Sequence, residues 1–255
     1  MATDYIRPKD VQEAIRLLKK PNHIPLAGGT LINTPEFKAR LRAQPGEDKV
    51  TFVDLQDLGF TQIKKQGNQL EIGASATLED LCTNAHVDTN LKKAIALEAP
   101  LNIRNAATVA GTLVVCDGRS PFSTAMLALD AKMVFEPGEK EILIGNYLPL
   151  RNDRPPGKLV TKVFIPLNVT LSFEHVARTK FDIPIVCIAV AKWASGRTRL
   201  ALGGYGATPL LALDGTSSDD LITAARNGFH EASDEWASAE YRSDAAATLV
   251  GRCLG

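Results

Sequence analysis

A chain of 255 residues, 45% hydrophobic and 23% charged, is long enough for a large core shared among two or three small units. Lys+Arg and Asp+Glu balance at 29 each, so no net field recruits nucleic acid or an anionic membrane surface. No apolar run reaches the ~18 residues of a membrane span, and the first residues carry neither a basic nor an apolar signal region, so a cytoplasmic location is expected.

In chain order, Val11, Ala14, Ile15 and Leu18 recur at helical spacing, with Asp10 as cap and Lys19-Lys20 closing the end. Pro21-Asn22 stops that helix. Ile24-Pro25-Leu26-Ala27 then reads as a short buried strand running into Gly28-Gly29-Thr30, a turn whose small residues let backbone N–H groups approach a ligand. After the polar linker Gln44 to Lys49, Val50 to Leu55 is rich in strand formers and opens a second unit.

Ile63 and Leu70 to Ala74 flank Gly67-Asn68 as a hairpin, and Thr77 with Asp80 forms an acidic variant of a helix capping box. A helix over Asn90 to Ala99 ends at Pro100. The segment Thr108 to Thr112 reads as a second small-residue turn, and Ser120-Pro121 as the cap and first position of a helix through Leu129. Lys132 to Glu136 and Glu141 to Ile144 pair around Pro137-Gly138.

The proline-rich loop Leu150 to Gly157 marks a second boundary. Beyond it, the β-rich runs Leu159–Ile165, Leu171–Ala177, Ile183–Trp193 and Thr198–Leu202 predict an antiparallel sheet. Helices are expected over Asp219–Ala225 and Ser238–Leu254, the latter with Tyr241, Ala245, Leu249 and Val250 near one stripe.

Cys82, Cys116, Cys187 and Cys253 are scattered, without Cys-x-x-Cys pairs or histidines at zinc-ligand spacing, so no metal site is expected. Cys116 stands out because it lies in the ligand segment, although packing is the commoner role for such a residue. His23, His86, His175 and His230 share no motif and are read as surface or hydrogen-bonded residues.

Ala27-Gly28-Gly29-Thr30, the block Ile103-Arg104-Asn105-Ala106-Ala107-Thr108-Val109-Ala110-Gly111-Thr112 and Leu127-Ala128-Leu129-Asp130-Ala131 resemble the medium, FAD-binding subunit of molybdenum hydroxylases, the family of carbon monoxide and xanthine dehydrogenase flavoproteins. The resemblance continues through Ala177 to Ile183, Ala201 to Gly206 and Glu235 to Arg242, and so covers nearly the whole chain. It implies an α+β, PCMH-type (vanillyl-alcohol-oxidase-like) FAD-binding fold. Residues 1–48 and 49–154 would be two α/β subdomains clamping FAD, and 155–255 a C-terminal α+β domain of antiparallel sheet and helices. Leu26, Ala27, Gly28, Gly29, Thr30, Leu31, Ile103, Thr108, Ala110, Gly111, Thr112, Ser120 and Lys180 would form the cofactor site, with no catalytic side chain and no metal.

The implied activity is that of an oxidoreductase subunit: electrons arrive from the iron-sulfur clusters of a partner and leave through FAD to NAD, a quinone or another acceptor. Substrate oxidation would occur on a molybdenum-cofactor large subunit, with a small subunit carrying two [2Fe-2S] clusters, in a dimer of heterotrimers. Loose membrane association through the acceptor is compatible with this reading. Four positions depart from the family pattern: Leu31 stands for Asp, Ala110 for Gly, Thr112 for Asn and Pro121 for Asp. Ala110 is expected to set a Cβ where backbone approach is closest. These departures carry an alternative reading, a structural or interaction subunit that keeps the fold with weakened or lost FAD binding.

Overall fold

The structure, a computed structural model, describes residues 4–35, 37–39, 50–153, 155–180, 182–216 and 220–254. Three sheets organise it. The first is parallel: β1 (Asp4–Ile6) and β2 (His23–Leu26) flank β3 (Thr51–Asp54). The expected helix is α1 (Val11–Leu18), whose cap Asp10 accepts the Glu13 N–H at 2.8 Å. It buries Ala14, Ile15, Leu17 and Leu18 against Val53, Leu55 and Leu159.

β3, in the run expected to open a second unit, has its hydrogen bonds to β1 and β2 and so completes the N-terminal sheet. The linker Gln44 to Lys49, on which the expected boundary rested, lies outside the described residues.

The second sheet has the order β4-β5-β8-β6-β7 and is antiparallel throughout. β4 (Ile63–Gln66) and β5 (Gln69–Gly73) form the hairpin read from Gly67-Asn68, with Gly67 at φ +58°. β6 (Lys132–Glu136) and β7 (Lys140–Leu143) form another, followed by the short helix α7 (Ile144–Tyr147). The middle place belongs to β8 (Leu159–Pro166), expected to begin the C-terminal sheet. Its backbone pairs with β5 from Gln69 to Gly73 and with β6 from Lys132 to Glu136.

Between β5 and β6 the chain is helical. α2 (Leu78–Thr83) carries the capping box, with Thr77 and Asp80 exchanging two 3.0 Å bonds. α3 (Thr89–Glu98) ends before Pro100, and α4 (Leu101–Arg104) follows. α5 (Val109–Val115) occupies the segment expected to be a turn. α6 (Pro121–Ala128) starts at its cap Ser120 and is buried at all eight positions, packed between α3 and the third sheet.

The third sheet, β12-β11-β10-β9, is antiparallel: β9 (Val169–Val176), β10 (Val186–Trp193), β11 (Thr198–Gly203) and β12 (Leu210–Gly215). One face joins the main core through Leu171, Phe173, Cys187, Ala189 and Ala201. The other holds Ile188, Val190, Leu200 and Leu202 against α8 (Leu221–Gly228) and α9 (Ala239–Leu254). Tyr241 is 47% exposed, not part of the buried stripe, whereas Arg242 beside it is fully buried. The Arg242 guanidinium is paired with the Asp234 carboxylate at 2.7 Å and donates to the carbonyls of Ala232 and Ala237. No helix among the described residues is long and apolar enough to cross a membrane.

Candidate functional site

β2 delivers the chain into the segment Ala27 to Ile32. A Cβ on Gly28 would stand 1.8 Å from the Ala106 carbonyl oxygen, so glycine there lets two backbones touch. Gly29 has φ +67°, the left-handed region that glycine enters without strain. Among the described residues, the N–H groups of Gly28, Gly29, Thr30, Leu31 and Ile32 have no acceptor. Backbone donors left free in a row can cradle an anion.

The second segment is built differently from the expected open turn. Thr108 caps α5, its hydroxyl accepting the Gly111 N–H at 3.2 Å. Val109 N–H is given to Ala76, Ala110 N–H to Ala74 and Thr112 N–H to the Thr108 carbonyl. All four donors are spent within the protein, and a Cβ on Gly111 would meet Thr108 Oγ1 at 2.6 Å. Ala110 is 6% exposed in the main core, so its methyl packs there. In this segment the Thr108 N–H has no acceptor among the described residues and the Thr112 hydroxyl donates to the Thr108 carbonyl at 2.9 Å, so it contributes mainly walls.

A cavity of about 450 Å³ runs beside these elements. Leu26, Ala27, Gly28, Gly29, Thr30, Leu31, Thr108, Ala110, Gly111 and Thr112 all line it, facing the segment Pro155 to Val160 that leads into β8. A second cavity of about 260 Å³ is lined by Ile103 and Ser120, and Thr30 and Thr112 border both. Lys180 is exposed and lines neither.

Sequence reasoning missed Glu98, Asp117, Arg119 and Ile183 in the second cavity. Glu98 ends α3 just before a proline, where nothing local distinguishes it from a solvated helix end. Its Oε2 accepts from Ser120 Oγ at 2.8 Å and from Phe122 N–H at 3.0 Å, at the N-terminus of α6. Burial pushes its carboxyl above the usual range, the two hydrogen bonds oppose this and neighbouring Asp117 adds to it. Cys116 is buried, with Sγ 3.4 Å from the Leu113 carbonyl, and burial raises its thiol as well. It packs and is not an activated thiolate. Among the described residues no group of acidic, histidine or cysteine side chains could hold a metal.

Backbone donors beside two adjoining chambers that share Thr30, Thr112 and Val115 suit a long ligand with a central diphosphate and a ring at each end. FAD has that form, and the cradle of Gly28 to Ile32 fits its pyrophosphate. Residues 1–168 match the family described as the FAD binding domain in molybdopterin dehydrogenase, and the chain belongs to that family. The match ends just beyond β8. Its cofactor is FAD, and it is an oxidoreductase flavoprotein subunit.

The chain is 28% identical to the carbon monoxide dehydrogenase medium chain of Afipia carboxidovorans, covering 98% of this chain and 95% of that one. It is 26% identical to subunit alpha of the 6-hydroxypseudooxynicotine dehydrogenase complex of Paenarthrobacter nicotinovorans, covering 98% and 93%. Among solved structures, reconstituted CO dehydrogenase from Oligotropha carboxidovorans superimposes with a TM-score of 0.81 at 27% identity, over 100% of this chain and 96% of that one.

Proposed function

We propose that this chain holds FAD across the two cavities, with the pyrophosphate on the N–H groups of Gly28 to Ile32, and relays electrons from an iron-sulfur partner to NAD, a quinone or another acceptor. The row of five N–H groups that have no acceptor among the described residues, beside the cavities, carries this reading. When bound, FAD supplies the redox chemistry. The chain's residues bind and enclose it: the first turn donates N–H groups to the diphosphate, Thr30 and Thr112 border both chambers, and Ile103, Val115 and Ile183 give the second an apolar wall.

Leu31, Ile103, Val114, Val115 and Ile183 line the cavities and are each 37–53% exposed, an apolar rim that supports a docking partner beside the site. The donor is a small subunit with two [2Fe-2S] clusters, joined to a molybdenum-cofactor large subunit in a cytoplasmic dimer of heterotrimers. For the chain itself, the sheets support units ending after β3 and after β8, in place of divisions at 48 and 154.

Titrating isotope-labelled protein with FAD tests the site. The amide resonances of Gly28 to Ile32 should move as flavin absorbance is retained. Retained flavin with those amides unmoved overturns the placement. Native purification tests the assembly, which fails if the chain elutes alone.

A further inference from the structure

Arg119 belongs to no role described so far. It lines the second cavity, yet no acceptor among the described residues takes a guanidinium N–H, and no carboxylate there stands within ion-pair distance. Its Nε is shut away from solvent without a partner. The two carboxyls that share the cavity are engaged elsewhere: Asp117 Oδ1 accepts the backbone N–H of Arg119 at 2.8 Å, and Glu98 Oε2 accepts from Ser120 and Phe122. Arg178, over the same indole as Arg119, has its own partner in Asp182 at 3.6 Å.

The side chain is nonetheless held. Its guanidinium stacks on Trp236 at 4.4 Å. The loop that carries it is pinned at three points: Gly118 N–H donates to the Gly206 carbonyl at 2.9 Å, Gly204 N–H to the Gly118 carbonyl at 2.7 Å, and Arg151 to the Cys116 carbonyl. A Cβ on Gly118 would stand 1.9 Å from the Tyr205 carbonyl oxygen, so this loop is seated directly on backbone of the third sheet's connection. A fixed cation whose donors the protein leaves free is preorganised for an acceptor that arrives with a ligand.

Position decides which part of the ligand that is. The first cavity is lined by residues up to Val160, whereas Ile183 brings the C-terminal part of the chain into the second. Ile103, Val115 and Ile183, all exposed, rim the second cavity on the surface where an electron-donating partner docks, so the ring that exchanges electrons belongs there.

We propose that Arg119 sets the reduction potential of bound FAD, its guanidinium donating to the carbonyl edge of the isoalloxazine and holding the negative charge which that ring gains. This rests on the proposed function, with the flavin ring in the second cavity. Two electrons from the iron-sulfur partner and one proton from solvent leave the reduced ring with one net negative charge, and a cation beside it favours the reduced form.

Arg119→Met keeps an unbranched stem without charge or donors, and Arg119→Lys keeps the charge. Spectroelectrochemical titration of the FAD-loaded full chain reads the midpoint potential, and FAD titration reads the dissociation constant of the oxidised form. Arg119→Met should weaken reduced FAD about tenfold more than oxidised FAD, which for a two-electron couple lowers the midpoint by about 30 mV. Arg119→Lys should show less than half of that fall. A midpoint lowered equally in both variants overturns the proposal while leaving the FAD site intact. So does a midpoint unmoved in Arg119→Met while oxidised FAD binds more weakly, the result expected of adenine in the second cavity. A wild-type chain that takes no FAD at all removes the site reading itself and this inference with it. Should either variant not fold, the guanidinium nitrogen resonances of Arg119 in the wild type decide. They should move when bound FAD is reduced, and unmoved resonances overturn the proposal.

Discussion

The guanidinium of Arg119 lies 4.4 Å from the centre of the Trp236 ring, and Arg178 approaches the same ring at 4.5 Å. Arg119 comes from the loop that borders the second cavity and Trp236 from the segment before α9, so one indole ties the cofactor region to the C-terminal helices. Each such contact at an exposed site is worth about 0.5–1 kcal/mol. Trp236→Ala should therefore destabilise the chain by about 1–2 kcal/mol and loosen FAD modestly. Urea unfolding checks the first effect, and unchanged stability would refute the tie.

Gly28 and Gly29 should respond differently to alanine. Gly28→Ala drives a methyl into the Ala106 carbonyl, which cannot yield without moving the backbone before α5, so apo-protein stability should drop by several kcal/mol. Gly29→Ala meets side chains at 3.4 Å and beyond and has to bear only the left-handed backbone, about 1 kcal/mol. Melting curves of the ligand-free variants give the order. Equal losses would mean that the turn, not the backbone contact, sets the requirement.

Arg242 gives a third outcome. Its charge is fully buried and hydrogen-bonded to Asp234 and to carbonyls on the segment before α9. Asp234→Asn, which leaves the guanidinium in place without its counter-charge, should cost about 3–5 kcal/mol. Arg242→Met removes the buried charge but strands the carbonyls of Ala232 and Ala237, so it too should destabilise, by a smaller amount. Denaturation showing the reverse order would reassign the strain to the carbonyls.

Acid sensitivity should reside partly at Asp214. The hydrogen bonds from Arg197 hold its carboxyl below the usual carboxylate range, against a burial penalty, and Arg199 at 2.6 Å adds to this. A depressed folded pKa contributes stability that is present above the unfolded value and lost as pH falls through the folded one. Asp214→Asn should accordingly be less stable than wild type at pH 7, with the gap closing below about pH 4. A gap that persists in acid would mean that the loss is steric.

Much of the local structure was legible in the sequence. Asp10, the Thr77 and Asp80 pair, and Ser120-Pro121 announce their helices because a cap satisfies donors within a few residues. The turn at Gly28-Gly29 was legible because two adjacent glycines follow a short apolar strand, and Gly29 does take a positive φ of +67°. Partners chosen across the chain were not. Thr108 to Thr112 is written in turn-like small residues, yet it becomes a helix start because Ala74 and Ala76, over thirty residues earlier, take its N–H groups. β12 was missed since its half-exposed Leu-Leu-Ala-Leu run has no alternation to read. Glu98 and Arg242 look solvated in sequence. Their burial follows from what packs over them.

The placement of β8 also orders events in time. Residues 159–166 fill the gap between β5 and β6, and the wall of the first cavity is the segment that leads into them. On the ribosome, therefore, the hairpin of β4 with β5 and that of β6 with β7 emerge with unmatched edges, and neither can join the other until about residue 166 has left the exit tunnel. The nascent chain acquires its cofactor chamber late, in a single step, and a chain released before that point exposes two sheet edges and has no place to put FAD.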